Sequence, residues 1–222
     1  MTVGPMEISK ILDGLYHGTY PLAPDYDVLA DLGIRLIINM QANQGPVVSS
    51  PIPNFWIRTN DNPITRIPIY DLARGAVAAS QLLDKNERVF VHCRQGRHRS
   101  SAMVAAILIT RGLTAEDAVK LIKKQRPRSN PRQWYIKERM VRFERLWQQP
   151  RAERSQVLLD LGRTSLEAGQ LVRAARTVRL AISAHPRNVE AWGVQADIMK
   201  QAGRDLDAER FRAGRQWLHG LA

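Results

Sequence analysis

The chain has 222 residues, of which 33 are Lys or Arg and 21 Asp or Glu, for a formal net charge of +12. Hydrophobic residues make up 44% and charged residues 24%, the balance of a globular protein and not of a disordered one. No stretch approaches the roughly 20 apolar residues that span a bilayer, Met1–Lys10 lacks a basic leader followed by an apolar run, and the single cysteine, Cys93, excludes an internal disulfide framework and a multi-cysteine metal site.

These features set a cytoplasmic expectation, with no membrane-spanning segment, no secretory signal and no disulfides. Of the charged residues, 21 basic and 13 acidic fall before residue 151, so the positive excess is spread and not held in a tail. It reads either as solvated basic faces or as a preference for polyanionic ligands.

In chain order, Ile11–Tyr16 reads as a strand pair around a turn. Asp27–Leu32 reads as a short helix stopped by Gly33. Ile34–Met40 is a β-branched run bounded by Gly and polar residues, the pattern of a buried strand. Gln41–Pro53 is rich in Gly, Pro and Ser and reads as a loop. Phe55-Trp56-Ile57 and Ile67-Pro68-Ile69 read as short strands, Ala73–Asn86 as a helix and Arg88–His92 as a second buried strand. Ser100–Thr110 is apolar and helical. Thr114 then caps a helix that Arg126-Pro127 closes, and a further helix covers Gln133–Gln148. Strands alternating with helices imply an α/β layer, a sheet flanked by helices.

From Ser155 the pattern turns all helical, with Pro150-Arg151 as the expected boundary of domains 1–150 and 151–222. Two frames of 34 residues, Ser155–Asn188 and Val189–Ala222, superpose Leu158 on Trp192, Gly169 on Gly203 and Ala174 on Ala208. Leu161-Gly162, Ala181 and Pro186 sit where a tetratricopeptide repeat carries Leu-Gly, Ala and Pro, so the segment resembles two such repeats. Two repeats fall short of the roughly three that stand alone. They are therefore expected to lean on the first domain, against Gln133–Gln148 with Trp134 or Trp147, or on another chain. Trp192, Trp217, Leu206 and Leu218 are the positions that need cover.

The chemistry concentrates in His92-Cys93-Arg94-Gln95-Gly96-Arg97-His98-Arg99-Ser100-Ser101. This stretch joins a buried strand to an apolar helix, a context in which backbone N–H groups and the helix N-terminus converge on an anion. Gly96 permits the tight turn. Cys93, at the first loop position, meets a positive field that favours a thiolate nucleophile. Arg94, Gln95, Gly96, Arg97, His98 and Arg99 form the phosphate cradle, and the planar fork of Arg99 can grip two phosphate oxygens. Ser100 can donate a hydrogen bond to the sulfur and help it leave.

The pattern His-Cys-x-x-Gly-x-x-Arg-Ser resembles the signature of the cysteine-dependent dual-specificity phosphatases. The resemblance extends over about residues 6–147, through Leu15-Tyr16-His17-Gly18, Leu29–Asn39, Ile67-Pro68-Ile69-Tyr70-Asp71 and Phe143-Glu144. It implies a two-step hydrolysis through phosphocysteine on Cys93, with no metal or cofactor, and an aspartate upstream as general acid. Asp71 fits the Ile-Pro-x-x-Asp context of the family but lies close to Cys93 in sequence. Asp61 has the more usual separation but sits in Asn60-Asp61-Asn62-Pro63. The context favours Asp71, with Asp61 as the alternative. His92 is expected beneath the loop as a hydrogen-bonding group, and Asn130 to support it.

Phosphotyrosine, phosphoserine and phosphothreonine proteins are the expected substrates. Arg94 and Arg97 resemble the basic loop of phosphoinositide phosphatases, so a polyphosphorylated small molecule or lipid headgroup is the alternative. A non-catalytic phosphate-binding adaptor is a third reading, which an intact Cys93, Arg99 and Ser100 oppose. The repeats are expected to bind a protein partner or a second copy of the chain. A nucleic-acid role fits the charge but finds no stacking or groove-reading motif.

Overall fold

The computed structural model describes residues 6–45 and 50–221. Part of the expected loop Gln41–Pro53, half of the first ten residues and the last residue of the second repeat frame lie outside them. The strands are β1 (Ile8–Leu12), β2 (Leu15–Gly18), β3 (Ile34–Asn39), β4 (Asn54–Trp56) and β5 (Arg88–His92). The helices are α1 (Asp25–Asp31), α2 (Ile69–Leu83), α3 (Arg99–Thr110), α4 (Ala115–Gln125), α5 (Trp134–Gln148), α6 (Ala152–Glu167), α7 (Leu171–Ala184), α8 (Val189–Gln201) and α9 (Asp205–His219).

The chain forms two compact units. One takes the residues up to Ile67 with Ala79–Val141; the other takes Pro68–Ala78 with Arg142 onward. In the first, a five-stranded sheet has the order β1-β2-β5-β3-β4. β1 and β2 pair antiparallel around the expected turn, while β5 lies parallel between β2 and β3. β5 and β3 carry Val89, Phe90, Val91, Ile37 and Ile38 fully buried, the continuous apolar run of strands covered on both faces. Tyr26 and Leu29 of α1 pack with Ile34, Ile37, Ile52 and Phe90. Every residue of α3 from Arg99 to Ile109 is buried, so this helix is enclosed all round, apolar beyond its polar first turn, and fixes the far end of the loop that leaves β5. Thr114 caps α4 as the sequence implies, its hydroxyl accepting from the Asp117 amide at 3.1 Å.

Ile67-Pro68-Ile69 departs from the strand reading. Pro68 carbonyl accepts from the amides of Asp71 and Leu72, so the segment opens α2 four residues earlier than its apolar pattern suggests. A proline is well suited to the start of a helix, and β-branched neighbours do not prevent it.

The second unit is helical: α6 pairs with α7 and α8 with α9, joined to the first residues of α2 and the last of α5. Tyr70 stacks on Phe211 at 6.0 Å between ring centroids, and the Arg179 guanidinium lies 5.3 Å from the Tyr70 ring. Ser183 Oγ accepts from the Tyr70 amide at 3.2 Å. Trp147, Trp192 and Leu218 are buried, as their need for cover implies. Leu206 stays 72% exposed, against that expectation, and of the two tryptophans of α5 it is Trp147 that is buried while Trp134 is 60% exposed.

Gly162 shows how close the helices approach. A Cβ there would lie 2.5 Å from Cγ2 of Val178, which is itself fully buried. Gly162→Ala should therefore destabilise the chain, an overpacking cost of about 1–3 kcal/mol exceeding the gain in helix propensity of about 1 kcal/mol. In a Val178→Ala background the same change should be neutral or stabilising. Urea midpoints of the four proteins would expose this reversal of sign.

Candidate active site

β5 delivers Cys93 to the floor of the loop, where it is 1% exposed. The carbonyls of the loop are held from outside. Arg94 carbonyl accepts from the Tyr20 amide at 3.2 Å, and Arg97 carbonyl from the Asn130 amide at 3.0 Å and Ser101 Oγ at 2.7 Å. Gly96 carbonyl takes both Arg126 Nε and Ser129 Oγ, each at 3.2 Å. Among the described residues the amides of Arg94 to Arg99 donate to no protein acceptor. A run of amides left free beside a helix N-terminus is an anion cradle. Gly96 has φ +60, and a Cβ on it would meet Gly18 carbonyl oxygen at 2.5 Å, so both backbone conformation and space require glycine.

Ser100 Oγ lies 3.1 Å from Cys93 Sγ as donor and 2.8 Å from His17 Nε2. Arg99 is anchored through Nη1, which donates to Thr59 carbonyl at 3.0 Å and Met40 carbonyl at 3.2 Å. Its Nε sits 3.5 Å from Asp61 Oδ2. Two anchoring bonds fix the guanidinium plane and leave other N–H groups for a ligand. The side chains of Arg94, Gln95 and Arg97 are exposed; His98 is partly buried.

Asp61 is brought to the loop. Tyr135 Oη donates to its Oδ1 at 2.7 Å, and His98 Nδ1 lies 3.2 Å from Oδ1 and 3.3 Å from Oδ2. Burial and the Asp61 carboxylate push Tyr135 up to about 12, so it remains a donor at neutral pH. Asp71 sits in the first turn of α2, where its carboxylate accepts from Arg74 Nε at 2.8 Å. Asn130 supports the loop through its backbone amide, while its side chain turns to Gln133.

Sequence reasoning missed four residues around the loop. Arg126, read as a helix end, is buried and spans Gly96 carbonyl, Ser9 Oγ and Glu7. Ser129 and Tyr135 carry no local pattern that marks them. His17 stood inside a quoted stretch, yet its partner Ser100 is 83 residues away. A charged Arg in the turn after an amphipathic helix, with nothing acidic beside it, was the one available signal.

Residues 15–145 match the family described as the dual specificity phosphatase catalytic domain. The chain belongs to that family. Human dual specificity protein phosphatase 9 is 32% identical over 132 residues, covering 55% of this chain and 32% of that protein. Mouse dual specificity protein phosphatase 13B is 28% identical over 127 residues, covering 54% and 64%. These matches thus span less than two thirds of the relatives' own length. The crystal structure of human DUSP28 shares the fold, with a TM-score of 0.56 at 23% identity over 62% of this chain and 92% of that one. Among the described residues no helix is long and apolar enough to cross a membrane.

The two histidines under the loop give the site an acid limit. Burial holds His17 down at about 3, with Arg126 and His92 adding to the effect. Burial likewise holds His92 at about 4, against the hydrogen bond between its Nδ1 and Cys93 carbonyl. Both are neutral when folded, and in the unfolded chain each takes a proton near pH 6.5. Unfolding therefore binds protons below that pH. Stability is complete above about pH 6.5 and falls as pH drops towards 4, by up to roughly 1.4 kcal/mol per pH unit for each histidine. Urea midpoints at pH 7, 6 and 5 should show that slope, and His17→Gln should reduce it by up to one proton.

Proposed function

We propose that this chain is a cysteine-dependent phosphatase that hydrolyses phosphomonoesters on phosphotyrosine, phosphoserine and phosphothreonine proteins in the cytoplasm. The observation that carries the reading is the Cys93–Ser100 hydrogen bond at the floor of a loop whose amides are free, with Arg99 anchored beside it. Cys93 Sγ attacks phosphorus, the amides and Arg99 hold the three equatorial oxygens, and the bond from phosphorus to the leaving oxygen breaks. A general acid supplies that oxygen with its proton. Water then attacks the phosphocysteine, the same residue takes the water's proton, and the S–P electron pair returns to Sγ.

Asp61 is the acid in this reading, in place of Asp71. Its carboxylate is held by Tyr135 and His98 and lies beside Arg99, whereas that of Asp71 is engaged by Arg74. Cys93→Ser should abolish turnover of p-nitrophenyl phosphate, and Arg99→Lys should lower it by roughly 10²-fold or more. Asp61→Asn should cost about 10²–10⁴ on alkyl phosphates, with a smaller loss on activated aryl ones. Asp71→Asn should leave that contrast unchanged. A reversed pattern between the two aspartates would return the role to Asp71.

The exposed Arg94 and Arg97 favour a second reading, a substrate with more than one phosphate, such as a polyphosphorylated small molecule or a lipid headgroup. Neutralising both should then raise KM for polyphosphorylated substrates while p-nitrophenyl phosphate is little affected. Equal losses on both would leave these arginines a general role in the loop's field.

We further propose that α6–α9 are two tetratricopeptide-like repeats, 155–188 and 189–222, following a catalytic domain within 1–150. Gly169 and Gly203, one period apart, both adopt positive φ, +71 and +68, and Ala174 and Ala208 are both fully buried. Val157, Leu161, Val172 and Leu180 stay exposed on α6 and α7 and offer apolar surface to a protein partner or a second copy. A monomeric mass by light scattering would leave a different protein as the occupant.

A further inference from the structure

We infer that His17 is a positioning residue for the reaction: its Nε2–H holds the Ser100 hydroxyl so that the single hydroxyl hydrogen points at Cys93 Sγ. The inference rests on the phosphatase reading for its kinetic consequence, but the hydrogen-bond geometry stands apart from it.

His17 lies on β2 opposite Val91 of β5 and is 0% exposed. An apolar residue would fill such a position without the cost of burying a polar ring. Among the described residues the ring has one hydrogen-bond partner, Ser100 Oγ at 2.8 Å, and that oxygen has one other, Cys93 Sγ at 3.1 Å. Ser100 owns one hydrogen. With Nε2 bare, the nitrogen would be a nearer acceptor than the sulfur and would compete for it. With Nε2 protonated, the nitrogen donates and the hydrogen is released to the sulfur.

Two observations select the second arrangement. Nδ1 of His17 is buried without a partner among the described residues, and a buried lone pair is tolerated where a buried orphan N–H is rare. Burial also keeps the ring neutral, so only one nitrogen carries a proton. The chain of donors therefore runs one way, from His17 to Ser100 to Cys93, each bond polarising the next.

The consequence falls on the second step. As water attacks phosphorus and the S–P bond breaks, the electron pair settles on Sγ, and the Ser100 hydrogen meets that growing charge. No proton moves along the chain; His17 only keeps the hydroxyl aimed. Without it the hydroxyl rotates among other acceptors, and the sulfur is a poorer leaving group.

The test has two readouts on the full-length chain: iodoacetamide alkylation of Cys93 against pH, and pre-steady-state turnover of p-nitrophenyl phosphate. His17→Leu and His17→Met remove the donor; His17→Gln can restore one. The donor-free variants should move the alkylation profile to higher pH by up to about one unit. They should also lower kcat by about tenfold with a smaller loss in kcat/KM, leaving a burst of nitrophenol. His17→Gln should recover most of both. In a Ser100→Ala background the His17 changes should add nothing, which a merely structural role would not produce. The inference is overturned if the donor-free variants leave both readouts unchanged, if Gln behaves as Leu does, or if the His17 effect survives loss of the Ser100 hydroxyl. A wild-type chain that is alkylated at Cys93 yet turns nothing over would overturn the phosphatase reading alone, and alkylation would still decide the role of His17.

Discussion

A backbone loop can aim its amides at a ligand only if something else takes its carbonyls, and that constraint organises this molecule. The carbonyls of Arg94, Gly96 and Arg97 are satisfied by Tyr20 after β2, by Arg126 and Ser129 after α4, and by Asn130 before α5. Buried carbonyls left unpaired would each cost about 1–3 kcal/mol, so the loop conformation is imposed by segments far apart in sequence. Gly18 carbonyl then closes on Gly96 from beneath. The sheet order serves the same end: β5 lies between β2 and β3, so the cysteine at its end is surrounded by chain on both sides.

The charge of the site is one-sided by design of its surroundings. The free amides, the N-terminus of α3 and Arg99 are positive or partly positive, while the two buried histidines contribute no charge at all. Neutral rings there supply directional hydrogen bonds without adding further cations beneath the loop. Asp61 is the one acidic group among these residues. It lies beside Arg99 and His98, and the Tyr135 hydroxyl keeps it from turning away.

What the sequence revealed follows from how far each signal reaches. Cys93, Gly96, Arg99 and Ser100 sit within eight residues, and their strand–loop–helix context is local, so the loop was legible. The buried strands and the Thr114 cap were legible for the same reason. The choice between Asp61 and Asp71 was not legible, because both lie outside the loop and only the fold shows which neighbours each carboxylate meets. His17, Arg126, Ser129 and Tyr135 act through partners 30 to 119 residues distant, and no periodicity records such pairs. Ile67-Pro68-Ile69 failed differently: its composition suits a strand, yet a proline at a helix start overrides that preference. In the C-terminal segment the helical pattern was legible and Trp147 was among its expected partners, but nothing local said that Tyr70 would pack there too.

Cys93 is the only sulfur of its kind in these 222 residues. Peroxide takes a cysteine first to a sulfenic acid, which a second thiol can capture as a disulfide. A sulfenic acid formed there would find no second thiol in the chain with which to condense into a protective disulfide. Its return to the reduced state would fall to an external thiol small enough to reach a sulfur that is 1% exposed, and its progress to the irreversible sulfinic form would be set by how quickly that thiol arrives.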